Sequence, residues 1–200
     1  MGIQTSAISR PLELLHLDLM GPTRIGSLGG KRYVLVVVDD FIRYTWVILL
    51  QSKFDAPEHI EAFCTKLQNV KGLKIDRIRS DHGKEFENLY MDSFCTRSGI
   101  SQEFSAPITP QQNGVVERKN RVIQEMARAM LHNKDVARNL WGEVVNTACH
   151  MVNRVYFRPS TKKTPYELWK GRKPNVKYFK IFGGTCFILK DRENVGKFDS

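Results

Sequence analysis

Between Leu12 and Met20 the chain alternates, with Leu15, Leu17 and Leu19 on one face and Leu14, His16, Asp18 and Met20 on the other. Both faces are largely apolar, so the segment reads as a buried strand and Asp18 as an acid carried on it. Gly21-Pro22 ends the run and Gly29-Gly30 marks a turn. Tyr33 to Val38 is a continuous apolar stretch rich in β-branched residues, suited to a central strand, and Phe41 to Leu50 supplies a third. Asp39 and Asp40 fall between these two runs and read as turn residues, with a metal-ligand role as the alternative.

The period then changes. Ala56 to Val70 places Ile60, Phe63, Cys64 and Leu67 at helical intervals and stops at Gly72. Ile75 to Ser80 returns to a short strand whose exit carries Asp81, a position from which active-site groups of α/β sheets commonly project. Glu87 to Ser98 predicts a helix closed by Gly99, and Ile100 to Phe104 a fifth strand. Pro107, Pro110, Asn113 and Gly114 break regular structure, leaving a mobile loop in which Gln111, Gln112 and Asn113 offer amides to a ligand or form an ordinary polar linker.

From Val115 the pattern is helical again, with an apolar stripe of Val115, Val122, Met126 and Met130, and Ile123 beside it. At roughly 100° per residue, Glu117, Asn120, Arg121, Gln124 and Arg128 share another face. That face is either a solvated ridge or a carboxylate heading a basic, amide-bearing surface for metal and phosphates; for Asn120 and Arg121 we favour nucleic-acid contact. Leu140 to Tyr156 predicts a last helix with a broad apolar surface, either core or dimer interface. The remainder is rich in Pro, Lys and aromatic residues that pack on the core or, alternatively, stack on bases. Strands interleaved with helices predict an α/β class, with one domain over residues 9–156 and an extension over 157–200.

Composition agrees with one sizeable core: the chain has 200 residues, 42% of them hydrophobic. A formal net charge of +10 and a sequence pI of about 9.6 favour a polyanionic partner such as nucleic acid. Cys64, Cys95, Cys149 and Cys186 are far apart and form no CxxC pair, so the spacing suggests neither a zinc ribbon nor a compact disulfide framework but a reduced, intracellular protein. No apolar run spans a bilayer and no secretory signal opens the chain. Met1-Gly2-Ile3-Gln4-Thr5-Ser6 fits the loose myristoylation template, but reads better as a fragmentary start.

Three acids stand out by context: Asp18 in LLHLDLMGP, Asp81 in IRSDHGKEF and Glu117 in TPQQNGVVERKNR. The thirty-five residues between Asp81 and Glu117 suffice for a helix, a strand and a loop that return the chain to its starting point. Converging carboxylates repel one another and raise each other's pKa unless hard cations such as Mg²⁺ neutralise them. A pair of such ions can activate an attacking oxygen and stabilise a leaving one at phosphorus, so no protein nucleophile is needed.

At these residues the chain closely resembles the integrase catalytic core of copia-type retrotransposons, whose superfamily includes the retroviral integrases. The resemblance extends through SRPLELLHLDLMGPTR, SLGGKRYVLVVVDDFIRYTWV, APITPQQNGVVERKNR and TPYELWKGRKPNVKYFKIFGG, from Ser9 to Asp199. It implies a ribonuclease H-like mixed five-stranded sheet flanked by helices, and dependence on Mg²⁺, with Mn²⁺ able to substitute. It implies an enzyme, a two-metal polynucleotidyl transferase that processes element DNA 3′ ends and joins them to target DNA. Asp18 would bridge both ions, and Asp81 and Glu117 would each hold one. Gln111, Gln112 and Asn113, in the loop that closes over DNA in such integrases, become candidate DNA contacts with Asn120 and Arg121. The resemblance also implies a homo-oligomer acting in the nucleus, and a His/Cys zinc module ahead of the core, so that this chain reads as an excerpt of a polyprotein. Lys84 departs from the family pattern, which often has glycine there; a role in touching phosphate or hindering approach stays open, as does His82 as proton relay, DNA contact or plain turn residue. Glu85 and Glu87 read as structural.

Two other readings compete. An inactive, truncated fragment would keep a basic nucleic-acid-binding surface without chemistry. Another nuclease of the same fold would hydrolyse RNA in hybrids or digest strand ends, a reading that the VVERKNR context disfavours.

Overall fold

A computed structural model of the chain describes residues 8–105, 114–133 and 136–187. Five strands form one mixed sheet: β1 (Leu14–Met20), β2 (Tyr33–Asp39), β3 (Thr45–Leu50), β4 (Arg77–Ser80) and β5 (Ser101–Phe104). Their order is β3-β2-β1-β4-β5; β1, β2 and β3 form an antiparallel meander, and β4 and β5 add in parallel to β1. The helices are α1 (Ala56–Lys71), α2 (Leu89–Ser98), α3 (Gly114–Asn133), α4 (Trp141–Val155) and α5 (Pro165–Lys170).

The alternation in β1 divides the core into two layers. Leu15 and Leu17 join Leu35, Ile60, Leu67, Met91 and Phe94 on the α1 and α2 side of the sheet. Val34, Val36 and Val38 pack on the other side with Val116 and Ile123 of α3 and Val144, Ala148 and Val152 of α4. The predicted α4 surface is therefore core. Cys64, Cys95, Cys149 and Cys186 are all free thiols, and burial pushes Cys64 and Cys149 up to about 12.

Three local features depart from the hydropathy pattern. The third strand starts at Thr45 rather than Phe41, because the Asp39 carboxylate is buried in the turn and accepts from Ile42 N (2.8 Å) and Leu12 N (2.7 Å). Both its oxygens thus satisfy backbone groups, a structural duty. On α3 the buried line runs through Val116, Asn120, Ile123 and Ala127, which leaves the expected stripe of Val115, Val122, Met126 and Met130 on the margin of the core. The tail contains α5, which the apolar period does not signal. Thr164 caps it by accepting from Glu167 N while the Glu167 carboxylate accepts from Thr164 N (2.8 Å), and Gly171 ends it at φ 70°.

From α5, Trp169 enters the core edge to face with Trp46 (centroids 5.1 Å apart), and the Lys71 ammonium sits 4.0 Å over its ring. Tyr166 is buried as well, whereas Tyr178 and Phe187 are exposed. Among the described residues no helix is long and apolar enough to cross a membrane.

Candidate active site

The parallel pairing of β1 with β4 sets Leu14 against Arg77, Leu15 against Ile78 and His16 against Arg79. Carried two residues further, the same offset puts Asp81 opposite Asp18. Asp18 lies inside β1 because β2 continues beside it, pairing it with Val36, whereas β4 ends at Ser80 and releases Asp81 into a turn. Gly83 N then donates to Asp81 Oδ1 (3.0 Å). A Cβ on Gly83 would lie 2.7 Å from Glu85 Oε1 and 3.0 Å from Asp81 Oδ1, so glycine permits this close approach.

The third acid arrives on α3. Asn120 Nδ2 donates to Asp18 Oδ2 and fixes the first turns of α3 against β1. Asn120 is only 5% exposed, and its Oδ1 is buried without a hydrogen-bond partner. One turn earlier, Glu117 points to solvent on the side facing Asp18. A groove of about 400 Å³ is lined by Asp18, Met20, Glu117, Asn120, Arg121 and Gln124, and Gln124 Nε2 reaches Met20 Sδ at 2.9 Å. Thus Asp18, Glu117, Asn120 and Arg121 share one groove, with Asp81 beside it across the β1–β4 register. Gln111, Gln112 and Asn113 lie outside the described residues.

The electrostatics record this convergence. Burial, first, and then the charges of Asp81 and Glu117 push the Asp18 carboxyl above the usual aspartate range, against the hydrogen bonds from Leu19 N (2.8 Å) and Asn120. Yet among the described residues no three Asp, Glu, His or Cys side chains close on one point in a metal-holding group. The acids meet within electrostatic range of Asp18. Three carboxylates that offer hard oxygen donors, two of which raise the proton affinity of Asp18, fit a divalent ion such as Mg²⁺.

The His82 ring stacks on Phe104 (4.9 Å, 20°), and its Nδ1 lies 3.0 Å from Glu87 Oε2. Lys84 is exposed at the turn. Asn120 is the residue whose position the periodicity misses: as the polar member of a buried line it betrays a partner, but only the fold identifies that partner as Asp18.

A mixed five-stranded sheet with this order, flanked by helices on both faces, is the ribonuclease H-like fold of retroviral integrase catalytic cores. The catalytic core of HTLV-2 integrase, solved in complex with magnesium, superimposes with a TM-score of 0.59 over 79% of this chain and 96% of that one, at 22% identity. Residues 8–110 match the family model described as "Integrase core domain", a stretch containing Asp18 and Asp81 and ending before Glu117. The chain belongs to the integrase core domain family. It is 35% identical over 94% of its length to the retrovirus-related Pol polyprotein from transposon TNT 1-94 of Nicotiana tabacum, and 31% identical over 92% to that from transposon RE2 of Arabidopsis thaliana. It spans 14% and 12% of those polyproteins.

Proposed function

We propose that this chain is the catalytic core of a divalent-metal-dependent polynucleotidyl transferase in DNA integration, trimming the 3′ ends of an element's DNA and joining them to target DNA. The observation that carries the reading is the Asp18 carboxylate, held by Asn120 in one groove with Glu117 and with Asp81 at the matching exit of β4, three acids from distant parts of the sequence. Asp18, Asp81 and Glu117 are the residues that would hold Mg²⁺ or Mn²⁺. When bound, paired ions would supply activation of the attacking oxygen and neutralisation of charge at the scissile phosphate.

The side chains around the acids have separate tasks. Asn120 orients Asp18 through its amide donor, and Gly83 N does the same for Asp81. Arg121, exposed on the groove wall, supplies positive charge for a DNA phosphate, and we assign Gln111, Gln112 and Asn113 to the same substrate. We place the activity in a homo-oligomer working in the nucleus, with residues 9–156 as the catalytic unit and 157–200 as its extension.

A second reading, a nucleic-acid-binding fragment without chemistry, draws on the absence of a closed metal-holding group among the described residues. One experiment separates the two. Purified protein is incubated with a labelled duplex and with plasmid target in Mn²⁺ or Mg²⁺, and terminal cleavage and strand joining are scored. Asp81→Asn should abolish both, by a factor of at least about 10², and leave DNA affinity within about twofold, as expected for an acid that adds no phosphate contact. Activity equal to wild type in this variant rejects the assigned site; binding without chemistry in the wild-type protein supports the second reading.

A further inference from the structure

The first turns of α3 carry a second face. Val115, Arg118, Lys119 and Val122 point away from the groove of Glu117 and line a separate cleft of about 380 Å³, closed by the end of α4 and by Arg43 from the β2–β3 turn. Its floor is apolar, with Val122 and the fully buried Val152. On its rim Tyr156 and Phe157 are 46% and 65% exposed, large aromatic surfaces side by side.

Charge in this cleft is one-sided. Arg43 lies 3.5 Å from Asp40, whose carboxylate also lies 2.8 Å from His16 Nε2. Among the described residues no carboxylate pairs with Arg118 or Lys119. Lys119, half-buried beside Arg43 and Arg118 over an apolar floor, has no paired carboxylate among the described residues. The N-terminal turns of α3 add positive potential on the same side.

We propose that this cleft docks an acidic peptide segment of a protein partner, seating one bulky apolar side chain on Val122, Tyr156 and Phe157 and pairing its flanking carboxylates with Arg43, Arg118 and Lys119. Concavity and exposed aromatic area distinguish this partner from a nucleic-acid backbone. Duplex phosphates contact positive surfaces from outside and bring no apolar group to fill a pocket, whereas apolar anchors ringed by charge are the usual energetic centre of a protein interface.

The test uses the full chain and an array of hexapeptides, each combining two or three Asp or Glu residues with one Phe, Leu or Trp. Matched peptides carry Ser in place of the apolar residue, and a duplex and oligo(dT) serve as nucleic-acid probes. Peptides with both features should bind, and the Ser peptides should bind at least about tenfold more weakly. Lys119→Met and Phe157→Ala should each weaken peptide binding by about tenfold, with amide NMR spectra showing the folded protein in both. Peptide-induced shifts in the wild-type spectrum should centre on Val115, Val122 and Phe157, a readout independent of any variant. The proposal is overturned if no peptide exceeds its Ser control, if both variants bind as wild type, or if the shifts map elsewhere. It is equally overturned if duplex or oligo(dT) binding, rather than peptide binding, falls with these substitutions, which would give the cleft to nucleic acid.

Discussion

Asp18 is a partly buried carboxyl group faced by two further acids, and its behaviour with pH follows from that position. Its folded-state pKa is raised, so the folded protein binds this proton more tightly than the unfolded chain. Stability from this group is therefore greatest in acid and is lost as pH rises from the ordinary aspartate range through the raised value. Asp18→Asn removes the ionising group but keeps an oxygen to accept from Asn120. In chelator at neutral pH the variant should melt above wild type, by about 2–4 °C per kcal/mol relieved, and the difference should vanish in acid. Added Mg²⁺ should raise the wild-type Tm and leave the variant unmoved. A neutral-pH Tm equal to wild type would show that Asp18 bears no such strain. Asp18 was legible in the sequence as an acid on an apolar strand, but its partner Asn120 was not. Helical spacing alone could not tell that the buried line passed through an amide rather than through Val115 and Val122.

At the scale of elements, the site depends on the register of β1 with β4 and on the docking of α3 across β1. Alternation, turns and helix stops located the five strands and four of the helices to within a few residues. The exceptions are instructive. Phe41 to Tyr44 are as apolar as a strand, but the buried Asp39 carboxylate draws them into a turn. The six residues of α5 are too few to display a periodicity, and their signal was the Thr164, Pro165 and Glu167 capping pattern instead. This short helix brings in Trp169, only 5% exposed, to pack on Trp46, Tyr44 and Lys71. Trp169→Ala should cost about 3–5 kcal/mol by urea unfolding, the range for deleting a buried aromatic side chain. A loss below about 1 kcal/mol would mean that α5 contributes little to the fold.

For the whole molecule, the net charge of +10 sets the character of binding. Association with duplex DNA should weaken by at least about tenfold between roughly 50 and 200 mM salt, as condensed counterions are released on binding. A fluorescence-anisotropy titration across that range checks it, and a flat salt response would remove phosphate contact as the main source of affinity. The structure divides the basic surface by location. Arg121 borders the acidic groove, whereas Arg43, Arg118 and Lys119 surround a cleft with an apolar floor.

The sequence by itself determined most of the elements, the family and the three candidate acids, because strand and helix periods, turn residues and the contexts of Asp18, Asp81 and Glu117 are local properties of the chain. Which side chains meet was decided only in three dimensions. Asn120 reaches Asp18 across 102 positions, and Lys119 sits near Arg43 with no acid paired to it among the described residues. Such pairings depend on strand register and on the rotation of α3 about its axis, which packing of the whole core selects and no local pattern encodes.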